Sequence, residues 1–94
     1  MAKRTRPEDV AWSDYAGQLA ANLRRLRAEA GLSQEDVAYR SWLTRYTYQK
    51  YEKGESKPGT PANPTIRTLL AMSQTLGVAL TDILPPEAPD LRLR

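Results

Sequence analysis

The sequence predicts an all-α domain, and three observations lead to that prediction. Leu and Ala supply 12 residues each, whereas Val and Ile together supply five; Leu and Ala favour helices, while β-branched residues favour strands. Six of the seven prolines lie at or after Pro58, which leaves the 50 residues between Pro7 and Pro58 free of proline. A stretch of that length holds three short helices, and the 94 residues in all suffice for one domain.

The first helix is expected to begin near Ser13, a good N-cap residue, after an N-terminal arm of residues 1–12. Pro7 suits the first position of a helix and would add a helical turn to that arm. Apolar residues then recur on one helical face: Leu19, Leu23, Leu26 and Ala30. Gly31 follows where a helix commonly ends with a left-handed residue.

The second helix is short and is expected to begin after Ser33. Ser33 and Asp36 have the spacing of a capping box, in which each residue bonds the backbone of the other. Val37 and Ala38 are expected to point into the core, and the helix is expected to end near Ser41.

A third helix is expected from the cap residue Thr44 to about Lys53, where Gly54 stops it. Its apolar residues are Tyr48 and Tyr51, three positions apart. Because the chain has no Phe, we expect these two tyrosines to serve as core residues.

The link after the third helix, residues 55–64, is too rich in Pro and Gly to predict regular structure. Asn63 and Pro64 are expected to cap and start a fourth helix that Gly77 ends. The residues of this helix expected to point inward are Ile66, Leu69, Leu70 and Ser73.

A fifth, short helix is expected at about residues 80–84. The domain then spans residues 13–84, and residues 85–94 are expected to form a flexible tail. No apolar run approaches the roughly 20 residues that a membrane span needs, so we expect a soluble, cytoplasmic protein.

The composition excludes several classes of function. Cys and His are both absent, which excludes zinc fingers, zinc hydrolases and Ser-His-Asp hydrolases. No paired-carboxylate or Ser–Lys arrangement stands out either, so we expect neither an enzyme nor a metal or other cofactor. The 14 Lys and Arg against 11 Asp and Glu leave a net charge of +3, a weak bias toward polyanionic partners.

Two short helices joined by a tight turn, the second of them capped, form the layout of a helix-turn-helix. The face of the third helix opposite its tyrosine pair carries Arg45, Tyr46, Gln49, Lys50 and Lys53. In the major groove of duplex DNA, Arg and Lys donate to guanine, Gln pairs with adenine, and Tyr can contact a thymine methyl or a phosphate. A solvated surface helix is routinely polar as well, and spacing alone favours neither interpretation.

Two stretches of the sequence resemble one known family. Residues 23–38, which read LRRLRAEAGLSQEDVA, and residues 51–58, which read YEKGESKP, are similar to the opening and the close of the helix-turn-helix unit in the Cro/cI-like (XRE) family. Residues 69–78 and 80–84 resemble the family's fourth and fifth helices. The resemblance covers roughly residues 16–84. It implies the compact five-helix Cro/cI-repressor-like DNA-binding fold, with helices two and three as the helix-turn-helix, and a role as a dimeric bacterial or phage transcription regulator.

The family pattern also implies roles for the matching residues. The base-facing positions fall on Arg45, Tyr46, Gln49 and Lys50. The phosphate-facing positions fall on Gln34, Thr44, Lys53 and Lys57, of which Gln34 also contacts the recognition helix. Arg27 and Glu52 match a pair that forms an internal salt bridge, for which we expect the structural role of tying helix one to the end of helix three.

The sequence departs from the family pattern at two places. Trp42 stands where the family usually has Gly; because a left-handed Trp would be strained, we predict a reshaped turn with the indole folded against the domain. Stacking of Trp42 on an exposed base is the weaker alternative, since duplex readers seldom need a stacking platform. Residues 59–64 lengthen the link to helix four and are interpreted as an uncharged spacer rather than a loop that touches the DNA backbone. Tyr39 fits the core and a nucleic-acid surface equally well.

These inferences predict a sequence-specific regulator that binds duplex DNA as a repressor-type homodimer on a palindromic operator, and is nucleoid-associated when bound. The dimer surface is expected from Val78 onward, with Leu91 and Leu93 from the tail. The alternatives are an antitoxin or a restriction–modification controller on the same scaffold, or a protein-interaction module with the same fold. The basic residues of helix three argue against the last, because protein interfaces are depleted of charge at their centres.

Overall fold

A computed structural model describes residues 7–92 and confirms the predicted all-α, five-helix class. Its elements, in chain order, are α1 (Pro7–Ala30), α2 (Gln34–Arg40), α3 (Arg45–Lys53), β1 (Glu55–Lys57), β2 (Thr60–Pro61), α4 (Ile66–Leu76) and α5 (Leu80–Ile83). The first six residues of the predicted arm, and Leu93 of the predicted dimer surface, lie outside the described residues. No helix in this range is long and apolar enough to cross a membrane.

Helix α1 begins at Pro7 rather than near Ser13, so the second half of the predicted arm belongs to the helix. Proline is favoured in a first turn because its missing N–H would have no partner there. One contact within the helix and one tertiary contact support the added turns: Trp12 stacks on Tyr15 with 5.7 Å between ring centroids, and the Tyr15 hydroxyl donates to the Pro85 carbonyl at 3.3 Å. Pro85 is buried, so the predicted flexible tail is anchored at its first residue.

The core lies between α1 and the four shorter helices. Its buried side chains are Leu19, Leu23, Leu26, Val37, Ala38, Tyr48, Met72, Leu76 and Ile83. The stripe predicted for α1 is present from Leu19 to Leu26, but Ala30, its fourth expected member, is exposed. Because Leu26 is the last buried residue of α1, the final turn of the helix extends past the core.

Helices α2 and α3 form the helix-turn-helix unit, and local hydrogen bonds set where each helix begins. Ser33 and Asp36 form the predicted capping box: the Ser33 hydroxyl accepts from the Asp36 amide at 3.0 Å, and the Asp36 carboxylate accepts from the Ser33 amide at 3.1 Å. Thr44 caps α3 as predicted, by accepting from the Thr47 amide at 3.0 Å. Both starts are therefore fixed by side chains that satisfy otherwise unpaired helix amides.

Helix α3 ends against α1 at a residue that has to be glycine. Gly54 has a left-handed backbone with φ of 76°. A Cβ atom there would lie 3.3 Å from both the Ala16 carbonyl oxygen and the Gly17 Cα. The backbone conformation and the close approach of the two helices thus both require a residue without a side chain.

The link after α3 forms a β-hairpin, so the prediction of an irregular spacer is wrong. The antiparallel register of β1 and β2 pairs Glu55 with Pro61 and Lys57 with Thr60. Pro58 and Gly59 occupy the turn, and Gly59 has φ of 80°; a Pro–Gly pair suits a turn that needs positive φ at its second central residue. The wholly buried Ala62 holds the returning strand, and its amide donates to the Gly54 carbonyl at 2.8 Å.

Helix α4 begins at Ile66 with Thr65 as its cap, rather than with the predicted Asn63 and Pro64. The Thr65 hydroxyl accepts from the Thr68 amide at 3.1 Å. A threonine hydroxyl is a good N-cap acceptor, and its position one residue after Pro64 moves the start of the helix beyond the proline.

The buried face of α4 also differs from the prediction. Met72, Ser73 and Leu76 are buried, and Leu69 packs against the core, whereas Ile66 is 72% exposed and Leu70 is 42% exposed. Ile66 and Leu70 lie one helical turn apart, at the edge of the face that Leu69, Met72, Ser73 and Leu76 turn toward the core. Gly77 ends the helix in a left-handed conformation, as predicted.

Candidate nucleic-acid interface

The outer face of α3 carries the residues for which the family resemblance implies contacts to bases. Tyr48 is wholly buried and Tyr51 packs partly buried against the core, which turns the opposite face outward. On that outer face Arg45, Tyr46 and Lys53 are exposed, and Gln49 and Lys50 are half-buried. Their spacing along the helix brings them together on one side of it.

Behind this face, Arg27 and Glu52 form the ion pair predicted between α1 and the end of α3. Arg27 Nε lies 2.6 Å from Glu52 Oε2, and Arg27 Nη2 lies 3.2 Å from Glu52 Oε1. Arg27 Nη1 also donates to the Leu32 carbonyl at 3.1 Å. The Glu52 side chain is only 4% exposed, so the bidentate contact supplies the compensation that a buried carboxylate needs.

Burial and hydrogen bonding shift the pKa values of Arg27 and Glu52 in opposite directions. Burial raises the pKa of Glu52, but hydrogen bonds from Arg27 and Gln34 outweigh it and hold that pKa below its ordinary value. The hydrogen bond to Glu52 raises the pKa of Arg27. Burial of the Tyr48 hydroxyl, and secondly its contact with Glu52, raise the pKa of Tyr48. The pair is therefore charged, and Tyr48 neutral, throughout the neutral pH range.

Gln34, the first residue of α2, connects the buried pair to the outer face of α3. Gln34 Nε2 donates to Glu52 Oε1 at 2.9 Å, and Gln34 Oε1 accepts from Gln49 Nε2 at 3.2 Å. A chain of hydrogen bonds thus runs from Arg27 through Glu52 and Gln34 to Gln49, and orients the Gln49 amide. The carbonyl oxygen and the second N–H of that amide remain available, which is the donor and acceptor set that adenine requires.

Tyr46 and Lys50 act as one unit. Lys50 Nζ lies 4.2 Å from the centroid of the Tyr46 ring, a cation–π distance. The contact holds the ammonium group of Lys50 over the ring at the surface of the helix. The spacing of four residues is the sequence signal that indicates such a contact.

Thr44, predicted to face phosphate, is occupied by its role as a cap. Its hydroxyl accepts from the Thr47 amide at 3.0 Å and donates to the Thr47 hydroxyl at 2.9 Å. A hydroxyl has one hydrogen, so Thr44 can donate to a phosphate only by giving up its bond to Thr47 Oγ1.

Basic residues continue beyond the outer face. Lys53 ends α3 and Lys57 ends β1, and both are exposed. Arg24, which the sequence did not single out, donates through Nη1 to the Glu52 backbone carbonyl and so satisfies a carbonyl in the last turn of α3. Arg24 precedes Arg27 by three residues on α1, and this same-face spacing is the signal that points to it.

The structure contradicts the prediction for Trp42, at the turn between α2 and α3. Trp42 itself adopts the left-handed conformation with φ of 61°, and its side chain is 94% exposed rather than folded against the domain. The Leu43 amide donates to the Ala38 carbonyl at 2.8 Å, and the Trp42 amide donates to the Tyr39 carbonyl at 3.3 Å. These are the two bonds of a Schellman helix end. Together with the packing of Leu43 against the core, they hold Trp42 against a strain of about 1–2 kcal/mol.

Comparisons with known proteins agree with this geometry. A family model described as a helix-turn-helix domain matches residues 18–83. The uncharacterized HTH-type transcriptional regulator y4dJ of Sinorhizobium fredii is 35% identical over 73 residues, which cover 78% of this chain and 87% of that protein. The crystal structure of the restriction-modification controller protein C.AhdI from Aeromonas hydrophila superposes with a TM-score of 0.64 at 26% identity. That superposition covers 73% of this chain and 96% of the controller.

Proposed function

Because this chain belongs to the helix-turn-helix domain family and is a DNA-binding transcriptional regulator, we propose that it acts as a repressor-type homodimer that reads a palindromic operator. The observation that carries the proposal is the outer face of α3. Its side chains are of the types that read bases, and a partly buried hydrogen-bond chain supports Gln49 from behind. The protein acts by binding alone in this proposal, without catalysis, a metal or another cofactor.

Base readout is proposed for Arg45, Tyr46, Gln49 and Lys50. Arg45 lies in the first turn of α3 and is exposed, and the N-terminal residues of a recognition helix approach base edges most closely. Arg45 is suited to guanine, and the oriented amide of Gln49 is suited to adenine. The Tyr46–Lys50 unit offers a ring edge for a thymine methyl beside an ammonium group for guanine or phosphate.

Phosphate contacts are proposed for Gln34, Thr44, Lys53 and Lys57. From Arg40 to Lys57 the chain carries five basic and two acidic residues, a net charge of +3. Since Arg27 neutralises Glu52 internally, the surface beside α3 is more basic than that sum. A local excess of this kind supports contacts to the phosphate backbone.

We propose that the homodimer forms through the C-terminal part of the chain, from Val78 onward. Leu91 is 54% exposed and is available to a second copy, whereas Val78 and Leu84 are partly used against the core. The exposed Ile66 and Leu70 on α4 add apolar surface that a dimer would cover. Sedimentation equilibrium on the parent and on Leu70→Glu and Leu91→Glu tests this; a parent that is monomeric at all concentrations contradicts it.

A restriction–modification controller is the second candidate. The specific observation in its favour is the structural similarity to a protein of that description over nearly the whole of that protein. An antitoxin rests on no comparable observation. Footprinting on genomic fragments discriminates the candidates, because a controller is expected to protect DNA beside restriction–modification genes and another regulator is not.

Fluorescence anisotropy with labelled genomic duplexes tests the proposed function itself. We expect binding that weakens steeply with salt and that separates a few fragments from the rest by at least about a thousandfold. A protein-interaction module with the same fold would show no binding, or binding that salt does not change. A reporter gene under the selected fragment then distinguishes repression from activation.

A further inference from the structure

Trp42 combines a strained backbone, which costs stability, with an indole that gains no stability from burial. A bulky residue with φ of 61° is a backbone outlier, and an indole that is 94% exposed leaves a large apolar surface in water. Glycine ends α1 and α4 with positive φ, at Gly31 and Gly77, and would relieve the strain here without the loss of buried surface. Strain that the surrounding structure tolerates is concentrated at sites that bind something.

The indole does not stand alone. Trp42 lines an open groove with Tyr39, Arg40, Leu43 and Thr44. Tyr39 is 84% exposed, and Arg40 is exposed as well. The groove therefore presents two aromatic rings and one cation to the solvent.

The position of the groove selects what it can bind. One of its walls is Thr44, the residue that caps the N-terminus of α3. When the N-terminal end of a recognition helix lies in the major groove, the residues just before it meet the sugar–phosphate strand at the edge of that groove. The groove is thus continuous with the proposed DNA surface.

We propose that Trp42, Tyr39 and Arg40 form a clamp on one sugar–phosphate strand beside the bases that α3 reads. The indole and phenol rings pack against deoxyribose, the indole N–H donates to a phosphate oxygen, and the Arg40 guanidinium supplies the opposite charge. This clamp rests on the proposed function and extends it by a contact that carries no base information. A protein partner fits the two rings less well, because Arg40 would then be desolvated without a counter-charge from the groove itself.

Substitutions at Trp42 separate folding from binding. Trp42→Gly removes the indole and relieves the backbone, so the melting temperature should stay the same or rise. Duplex affinity should nevertheless fall about tenfold, as expected for one lost contact to a charged group. Trp42→Asn, which also tolerates positive φ, controls for flexibility of the turn, and Trp42→Phe should recover part of the affinity because it keeps the apolar contact.

The salt dependence separates the two chemistries of the clamp. Loss of the neutral indole should leave the slope of log affinity against log salt unchanged, whereas Arg40→Gln should reduce that slope by about one unit. A Trp42→Gly variant that binds operator and random duplexes as tightly as the parent overturns the clamp.

Fluorescence observes the indole directly. In a Trp12→Phe variant, Trp42 is the one remaining tryptophan, and acrylamide should quench it strongly in the free protein and weakly in the complex with duplex. Full quenching of Trp42 in the complex contradicts the clamp and points to a protein partner. Protection of Trp42 from acrylamide in the free protein, if it grows with protein concentration, also contradicts the clamp, because it indicates a contact between copies. If the parent binds no duplex at all, the proposed function fails and the clamp with it; if parent and Trp42→Gly bind equally, the clamp alone fails.

Discussion

The two ends of α3 have opposite surroundings. At the C-terminal end, Glu52 is buried and bonded to Arg27 and Gln34, and Arg24 reaches its backbone carbonyl. At the N-terminal end, Arg45 and Tyr46 are exposed, and the turn before them carries a strained and exposed Trp42. One end of the helix is fixed to the domain, and the other is left to the solvent.

The two ends of α3 therefore have different roles, one in stability and the other in binding. The fixed, C-terminal end determines where α3 lies relative to α1 and α2. The open, N-terminal end presents exposed side chains to the solvent. Substitutions at the fixed end should therefore act on stability, and substitutions at the open end should act on DNA binding with little effect on stability.

The largest expected effect is on stability, at the fixed end. Arg27→Ala removes the cationic partner of the buried Glu52 carboxylate, and should lower the free energy of unfolding by roughly 3 kcal/mol. Arg25→Ala is the matched control. Arg25 is 55% exposed and lies 3.6 Å from Glu29, so its loss should cost less than about 1 kcal/mol. Equal thermal melting of the two variants would show that the Arg27–Glu52 pair does not hold the fixed end.

The next effect is on base recognition, at the open end. Arg45→Ala and Gln49→Ala should each cost roughly 1–3 kcal/mol of binding free energy, confined to one operator position. Titration against operators with single base changes measures this. Arg67→Ala, an exposed position on α4, is the control for loss of one positive charge. If both variants bind the cognate operator as the parent does, then the outer face of α3 does not read the bases.

A smaller effect on duplex affinity is expected at the hairpin that follows the fixed end of α3. Lys57 is exposed on the hairpin, and Lys57→Ala should weaken binding to all duplexes alike. The slope of log affinity against log salt should fall by about one unit. A change in sequence preference would instead mean that Lys57 contacts bases.

The smallest effect is the pH dependence of the fixed end. The folded state holds the pKa of Glu52 below its ordinary value of 4.5, so its contribution to stability is complete above that value and is lost as the pH falls through the lower, folded-state pKa. Unfolding by urea between pH 6 and pH 3 should therefore show a smaller loss of stability in Glu52→Gln than in the parent. Parallel curves for the two proteins would show that Glu52 contributes nothing to the acid transition.

The sequence predicts the local features of the fold better than its tertiary contacts, for a physical reason. Capping boxes, helix-ending glycines and buried apolar spacing are local, and so Ser33, Thr44, Gly54 and Gly77 are predicted correctly. The Arg27–Glu52 pair follows from the resemblance to the Cro/cI-like family, in which the two matching positions form an ion pair. The resemblance also implies that Gln34 contacts the recognition helix, and its bonds to Glu52 and Gln49 confirm that contact. The continuous, partly buried chain from Arg27 to Gln49 does not follow from the sequence, because it joins three helices that the sequence only places in order.

The errors arise where tertiary contacts outweigh local preference. Trp42 takes a glycine conformation because Leu43 is drawn into the core and two helix-end hydrogen bonds form around the turn. The Pro–Gly link folds into a hairpin because the buried Ala62 fixes its far strand. The packing of Leu43 and the burial of Ala62 both depend on residues distant in the sequence. The roles of the exposed residues stay predictions, because only DNA binding tests them.

Selection of bound duplexes from a random pool by the parent protein tests base reading by α3 most directly. A homodimer that reads DNA through α3 should enrich a palindrome whose half-sites lie about one helical turn, 10–10.5 base pairs, apart. The preference at individual positions of that palindrome should change in Arg45→Ala and Gln49→Ala. Absence of any enriched sequence would contradict the central claim that the open face of α3 reads duplex DNA.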